Sequence, residues 1–187
     1  MLPLRGPDDL RRLIHDTPEM MACLKAVAAL RLPDGWIGAG FVRAPVWDRL
    51  HGYCAPTPLA DIDVVYFRPG DGPEAESALE RSLNERAPGR PWSARNQARM
   101  HERNADRPYR STADGLAHWL ETPTAVAVRL DAHGRVEVLA PFGLDDLFGL
   151  VIRPTPHARQ RRMTAFLQRV REKDWLATWP RCRVLFH

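Results

Sequence analysis

Trp36-Ile37-Gly38-Ala39-Gly40-Phe41-Val42-Arg43, followed eighteen residues on by Asp61-Ile62-Asp63-Val64-Val65-Tyr66, is the stretch on which the reading of this chain turns. It reads as a short strand, a glycine turn opening a helix that closes near Leu50-His51-Gly52, a loop, and a second strand headed by two carboxylates. Gly38 and Gly40 beside a helix start suit an anion, because bare backbone N–H groups and the helix dipole both favour negative charge there. Arg43 falls on the first turn of that helix, either within reach of a phosphate held by the glycines or as a solvated helix arginine. In an extended strand alternate side chains share a face, so Asp61 and Asp63 point one way and Ile62 and Val64 the other. Two oxygen ligands so placed are what a hard divalent cation takes, Mg²⁺ in particular, together with substrate phosphates.

Outward from this stretch the signals are helical on both sides. Residues 8–15 and 18–30 read as two helices, the second capped by Thr17 with Pro18 at its first position and Met20, Leu24, Val27 and Leu30 at helical spacing. Val42, Val46 and Leu50 make one apolar stripe on the helix after the glycine turn. Residues 73–85 form a charged helix with Leu79 and Leu83 inward. Residues 92–95 read as a short strand and 96–102 as a helix or turn, where Arg95 and Asn96 have the chemistry to hold triphosphate oxygens or a base edge, or simply to pack elements together. Ser111 to Asp114 has capping-box spacing for a helix reaching Trp119. Residues 124–130 and 135–140 alternate around Asp131-Ala132-His133-Gly134 as a β-hairpin, with Glu137 facing away from Val136 and Val138. Thr155-Pro156 starts a single final helix with Met163, Phe166, Leu167 and Val170 buried. Its arginines are open to solvent or to a nucleic-acid backbone, and Trp175 and Trp179 either pack the tail or offer stacking surfaces.

The glycine turn, Val42-Arg43, Leu50-His51-Gly52 and Asp61-Ile62-Asp63 resemble the signature of the DNA-polymerase-β-like nucleotidyltransferase superfamily, and their order is similar to that of the tRNA CCA-adding and poly(A) polymerase group. Trp47-Asp48, Trp92-Ser93, Arg95-Asn96-Gln97-Ala98-Arg99-Met100-His101, Ala140-Pro141-Phe142-Gly143-Leu144-Asp145-Asp146-Leu147-Phe148 and Arg153-Pro154-Thr155 look like a family of small bacterial nucleotidyltransferase-like proteins within it. The resemblance implies an α/β (α+β) nucleotidyltransferase fold, a mixed β-sheet flanked by helices with N- and C-terminal helices. It implies metal-dependent transfer of NMP from an NTP, with Asp61, Asp63 and a third carboxylate holding Mg²⁺ or Mn²⁺. The superfamily's third carboxylate stands on a strand between two apolar residues, which selects Glu137, with Asp145 and Asp146 as alternatives. Gly38, Gly40, Arg43, Arg95 and Asn96 are then the nucleotide-binding set. Two departures bear on the acceptor. Ala44 stands where the CCA-adding group has an aspartate, and the chain has no room for that group's template-reading helical domains, so a small molecule, RNA or a protein is expected as acceptor rather than processive tRNA tailing.

Length and composition agree with one domain over 1–187: N-terminal helices (1–34), a catalytic core (35–150), and a C-terminal helix and tail (151–187). An apolar fraction of 44% with 27% charged residues is that of a globular protein. No apolar run is long enough to span a bilayer, and the N-terminus lacks a secretory core, so no membrane partner and a cytoplasmic location are expected. Cys23, Cys54 and Cys182 are too scattered for a disulfide framework or a cysteine zinc site. A net charge of +4 permits a polyanionic partner, and leaves open a non-catalytic nucleotide-binding, RNA-binding or regulatory module on the same fold.

Overall fold

The computed structural model describes residues 4–186. Two helices open it, α1 (Pro7–His15) and α2 (Pro18–Ala28), followed by β1 (Trp36–Gly38), α3 (Gly40–His51) and β2 (Ile62–Tyr66). Then come α4 (Pro73–Arg86), β3 (Trp92–Asn96), α5 (Gln97–Asn104), α6 (Thr112–Ala117) and the hairpin strands β4 (Ala127–Leu130) and β5 (Val136–Leu139). The chain finishes with α7 (Asp145–Phe148), β6 (Val151–Ile152), α8 (Pro156–Arg161), α9 (Met163–Lys173), α10 (Trp175–Thr178) and β7 (Arg183–Val184). The expected mixed sheet is present: five strands in the order β3-β2-β1-β4-β5, antiparallel except for the β2–β3 pair, which α4 connects in parallel.

Strand alternation divides this sheet into two unequal faces. Ile37, Ile62, Val64, Val128 and Val136 join the main core, which α1, α2 and α3 cover with Leu10, Ile14, Leu24, Val42 and Val46. Trp36, Val65 and Ala127 lie on the opposite face in a small cluster with Leu116, Trp119 and Leu139. Asp63 is on that second, thinly covered face, so a polar residue in a central strand remains open to a ligand.

The carboxy-terminal third departs from the expected single helix. Arg162, at φ −136°, breaks it into α8 and α9. The segment beyond turns back so that β7 pairs in parallel with β6. Trp175 and Trp179 settle as packing residues. Both are buried, and both meet Trp47 edge-on, with ring centroids 6.3 and 5.1 Å away. Trp179 also donates to Asp48 Oδ1 at 2.7 Å. α3 is therefore covered around most of its circumference, with Phe41, Ala44, Trp47 and Asp48 buried beside its expected stripe.

Candidate active site

The turn between β1 and α3 is built around Ala39 rather than around its glycines. Ala39 has φ 54° and ψ −125°, a backbone conformation that L-residues rarely adopt. Gly38 is tightly enclosed instead. A Cβ there would come within 3.1 Å of the Val126 carbonyl and 3.3 Å of both Ala127 Cβ and the Trp119 ring. Gly40 begins α3, where the Val42 and Arg43 N–H groups donate to the Ala39 carbonyl at 3.2 and 3.0 Å and those of Gly40 and Phe41 have no intrahelical acceptor. Register then places Gly38 opposite Asp63, so turn and acidic strand are immediate neighbours.

A cleft of about 440 Å³ opens at this junction. Ala39, Asp61 and Asp63 line it together with Ser93, Arg95 and Gln97, and its far wall includes Arg103, His118, Glu121, Thr124, Arg162 and Arg169. The two aspartates feel each other. Burial, and next the charge of Asp61, raise the Asp63 carboxyl to about 6, against the pull of Arg169, Arg95 and Lys173. Among the described residues neither carboxylate accepts a hydrogen bond from the protein, so their lone pairs are open to the cleft. Two uncommitted, mutually repelling carboxylates are a donor set that fits a hard divalent cation, which removes the repulsion and needs no nitrogen ligand.

Glu137 is not part of this site. The row of side chains through Asp63 runs Ser93, Asp63, Gly38, Ala127, Leu139 across the sheet and holds no third carboxylate. Glu137 stands on β5, three strands from β2, which at about 4.8 Å per strand puts it roughly 14 Å away. It accepts from Arg129 Nε at 2.6 Å and lines a different depression. The alternative acids are elsewhere too. Asp146 is engaged by Arg153 and Thr122, and Asp145 starts α7.

Of the expected nucleotide-binding residues, Arg95 lines the cleft while also donating to Glu80 at 3.0 Å. Asn96 does not line it. Fully buried, Asn96 caps α5 by accepting from the Ala98 N–H and ties β3 to the loop after β2 through both Arg68 backbone groups, at 3.1 and 2.7 Å. Its neighbour Gln97 is the amide that reaches the cleft. Arg43 lies just beneath the floor. Its guanidinium stacks between Trp47 and Trp175 and donates to Thr124 Oγ1 at 2.8 Å, and burial lowers its pKa to about 10. It is thus a fixed cation behind Thr124 rather than a side chain reaching out of the first turn.

What the sequence reading missed is the wall supplied by the carboxy-terminal third. Glu121 is 1% exposed, lies 3.0 Å from Arg169 Nε, and has its pKa raised by burial. A charge that deep holds Arg169 at the cleft instead of leaving it on the solvated face of α9. The periodicity of α9 gave no sign of this, since the partner of Arg169 is 48 residues away on a loop.

A family model described as nucleotidyltransferase matches residues 25–184. Among solved structures, an NMR structure described as revealing a CCA-adding enzyme head domain is 30% identical with a TM-score of 0.86, over 98% of each chain. The CCA-adding enzyme of Thermotoga maritima complexed with tRNA aligns at 17% identity and a TM-score of 0.56, over 99% of this chain and 43% of its own. A CCA-adding enzyme complexed with CTP aligns at 14% and 0.51, over 95% and 49%. These last two share the fold, and this chain spans under half of their length. No curated protein matches the sequence.

Proposed function

The chain belongs to the nucleotidyltransferase family whose model covers residues 25–184, and from that membership we propose that it transfers a nucleoside monophosphate from an NTP to an acceptor hydroxyl or phosphate. The observation that carries this reading is the convergence of Asp61, Asp63, the Ala39 turn and four arginines, Arg95, Arg103, Arg162 and Arg169, on one cleft. A triphosphate is the ligand for such a surface, because planar guanidinium groups bind phosphate oxygens in pairs and the start of α3 adds N–H donors. The solved relative described with CTP supports an NTP as donor.

In the proposed reaction the arginines bind the β- and γ-phosphates and hold the α-phosphorus against β2. Asp61 and Asp63 would hold Mg²⁺ or Mn²⁺, which when bound supplies neutralisation of the phosphate charge and a stronger acceptor nucleophile. The acceptor oxygen forms a new bond to the α-phosphorus in line with the bond to pyrophosphate, which breaks. The acceptor's proton leaves to water in the cleft, because Asp61 and Asp63 would both be committed to the cation. Most of the catalysis asked of the protein is positioning and charge stabilisation. The open, polar cleft admits a hydroxyl of a small molecule, an RNA end or a protein side chain.

The test is a screen of labelled NTPs with Mg²⁺ or Mn²⁺, reading pyrophosphate release and label transfer to cell extract. Asp63→Ala is expected to abolish transfer and Glu137→Ala to leave it within about threefold of wild type, because Glu137 lies outside the cleft. Tight NTP binding with no transfer by the wild type under any of these conditions would replace the enzyme with a nucleotide-binding module.

A further inference from the structure

A second cluster of ligating side chains stands at the far wall of the cleft and takes no part in the reaction above. One donor atom each from Asp106, His118 and His157 lies within 4.8 Å of the other two. The residues come from three separate segments: the loop after α5, the end of α6 and the first turn of α8. All three side chains are largely shielded from solvent, at 4%, 13% and 14% exposure.

The surroundings orient each group as a metal site requires. His118 Nδ1 lies 2.7 Å from the Asp114 carbonyl oxygen, to which it can only donate, so the lone pair is left on Nε2. Asp106 Oδ2 accepts from Tyr109 Oη at 2.7 Å, and Tyr109 Oη in turn accepts from Asn104 Nδ2 at 3.0 Å, which leaves Oδ1 turned toward the histidines. His157 Nε2 is buried 3.1 Å from that Oδ1, yet the angle makes no hydrogen bond and no other polar partner reaches it. A buried ring nitrogen that faces a carboxylate oxygen without a hydrogen bond is costly, and an ion shared between the two removes the cost. The αL residue Ala105 swings Asp106 inward at the end of α5.

We propose that Asp106, His118 and His157 form a binding site for a transition-metal dication of the zinc class, distinct from the aspartate pair, that fastens α5, α6 and α8 together behind the cleft. Two imidazoles and a carboxylate suit Zn²⁺ and its neighbours and disfavour Mg²⁺, which asks for oxygen ligands in an octahedron. Tetrahedral ligands about 2.0 Å from zinc are roughly 3.3 Å apart, so small side-chain rotations close the observed spacing. The clamp acts on the nucleotide pocket through its neighbours in sequence. Arg103 is three residues before Asp106, Arg162 five after His157, and His118 itself lines the cleft.

The test is titration of the full chain with Zn²⁺ by calorimetry and with Co²⁺ by visible absorption, beside His157→Gln, Asp106→Asn and Asp63→Ala. The expected result is one tightly bound ion per chain, with any weaker ion at the aspartate pair lost in Asp63→Ala, Co²⁺ bands of nitrogen-containing low-coordinate geometry for the tight ion, and a Zn²⁺-dependent rise in melting temperature. Binding should be weakened at least about 100-fold by His157→Gln or Asp106→Asn and unchanged by Asp63→Ala. The proposal is overturned if either cluster variant that retains its circular-dichroism spectrum binds as tightly as wild type, or if Asp63→Ala removes the ion. A wild-type Co²⁺ complex with all-oxygen octahedral bands overturns it even if both cluster variants fail to fold. Because binding is read directly, a failure of the transferase reading leaves this result standing, and the reverse.

Discussion

Replacing Asp63 by asparagine is expected to stabilise the protein while abolishing transfer, and the gain follows from the cleft's own electrostatics. A carboxyl that titrates at 3.8 when free titrates at about 6 in the fold, first because it is buried and next because Asp61 is beside it. At about 1.4 kcal/mol per tenfold change, holding Asp63 ionised costs the native state about 3 kcal/mol at pH 8. The sign is opposite to that of a salt-bridged aspartate. Between about pH 4 and pH 6 the native state keeps the proton that the unfolded chain has lost, so wild-type stability from this group falls as pH rises and then levels off. The neutral amide carries no such penalty, and the advantage of Asp63→Asn should therefore grow from nearly zero at about pH 4 to its full value above about pH 6.5. For a chain of this length about 3 kcal/mol is a rise in melting temperature of roughly 6–12 °C. Urea denaturation of wild type and Asp63→Asn, without divalent cation, from pH 4 to pH 8 measures it. Adding Mg²⁺ at pH 8 should raise wild-type stability and leave the variant unchanged, since a cation on the pair relieves the same repulsion. An advantage that is constant with pH, or a variant less stable than wild type at pH 8, would refute the claim that two unsatisfied carboxylates share the cleft.

Ala39→Gly should stabilise by about 1 kcal/mol in urea denaturation, because the strain of φ 54° and ψ −125° is removed at the smaller cost of glycine's extra freedom in the unfolded chain. A loss of stability would mean that the Ala39 methyl packs more favourably than its backbone is strained. Arg169→Ala should cost about 2–3 kcal/mol at pH 8, a buried-pair loss reduced for the partial exposure of Arg169, since Glu121 keeps only Arg43 nearby. With the Glu121 pKa already above that of a free glutamate, the deficit should shrink as pH falls and Glu121 takes a proton, and the same variant should raise the KM for NTP. A deficit that does not change with pH would mean that Glu121 is not left charged.

Local chemistry made the front of the site readable, and long-range packing hid the back. Asp63 was legible because strand periodicity fixes which side chains share a face, and Asp61, one residue ahead of β2, lines the same cleft. The position of the β1 turn was legible from its glycines, although the residue in the rare backbone conformation is Ala39. Arg43 was legible in sequence position but not in direction. Trp47 and Trp175, the latter 132 residues on, hold its guanidinium under the floor, and nothing near Arg43 in sequence encodes that. Glu137 failed for a related reason. Alternation gave its face correctly, but only sheet order tells that β1 and β4 separate β5 from the acidic strand. Asn96 and Gln97 show the same limit one residue apart, where a turn into α5 gives the first to a cap and the second to the cleft.

The residues hidden from local reading share a physical role. Arg43 and Glu121 are buried charges, tolerable only because each has partners from another segment, and the partly exposed Arg169 is one of those partners. Removing one leaves another stranded, so the cleft wall holds its arginines at fixed positions at a cost to stability that the main core on the opposite sheet face must cover. The same logic separates the two acidic clusters. Asp63 is destabilised by having no partner and gains one with a bound cation, whereas Asp106 is already tied to Tyr109 and aims its remaining oxygen at two histidines. Under the two proposals the first site would take an ion that comes and goes with a triphosphate, and the second an ion that stays.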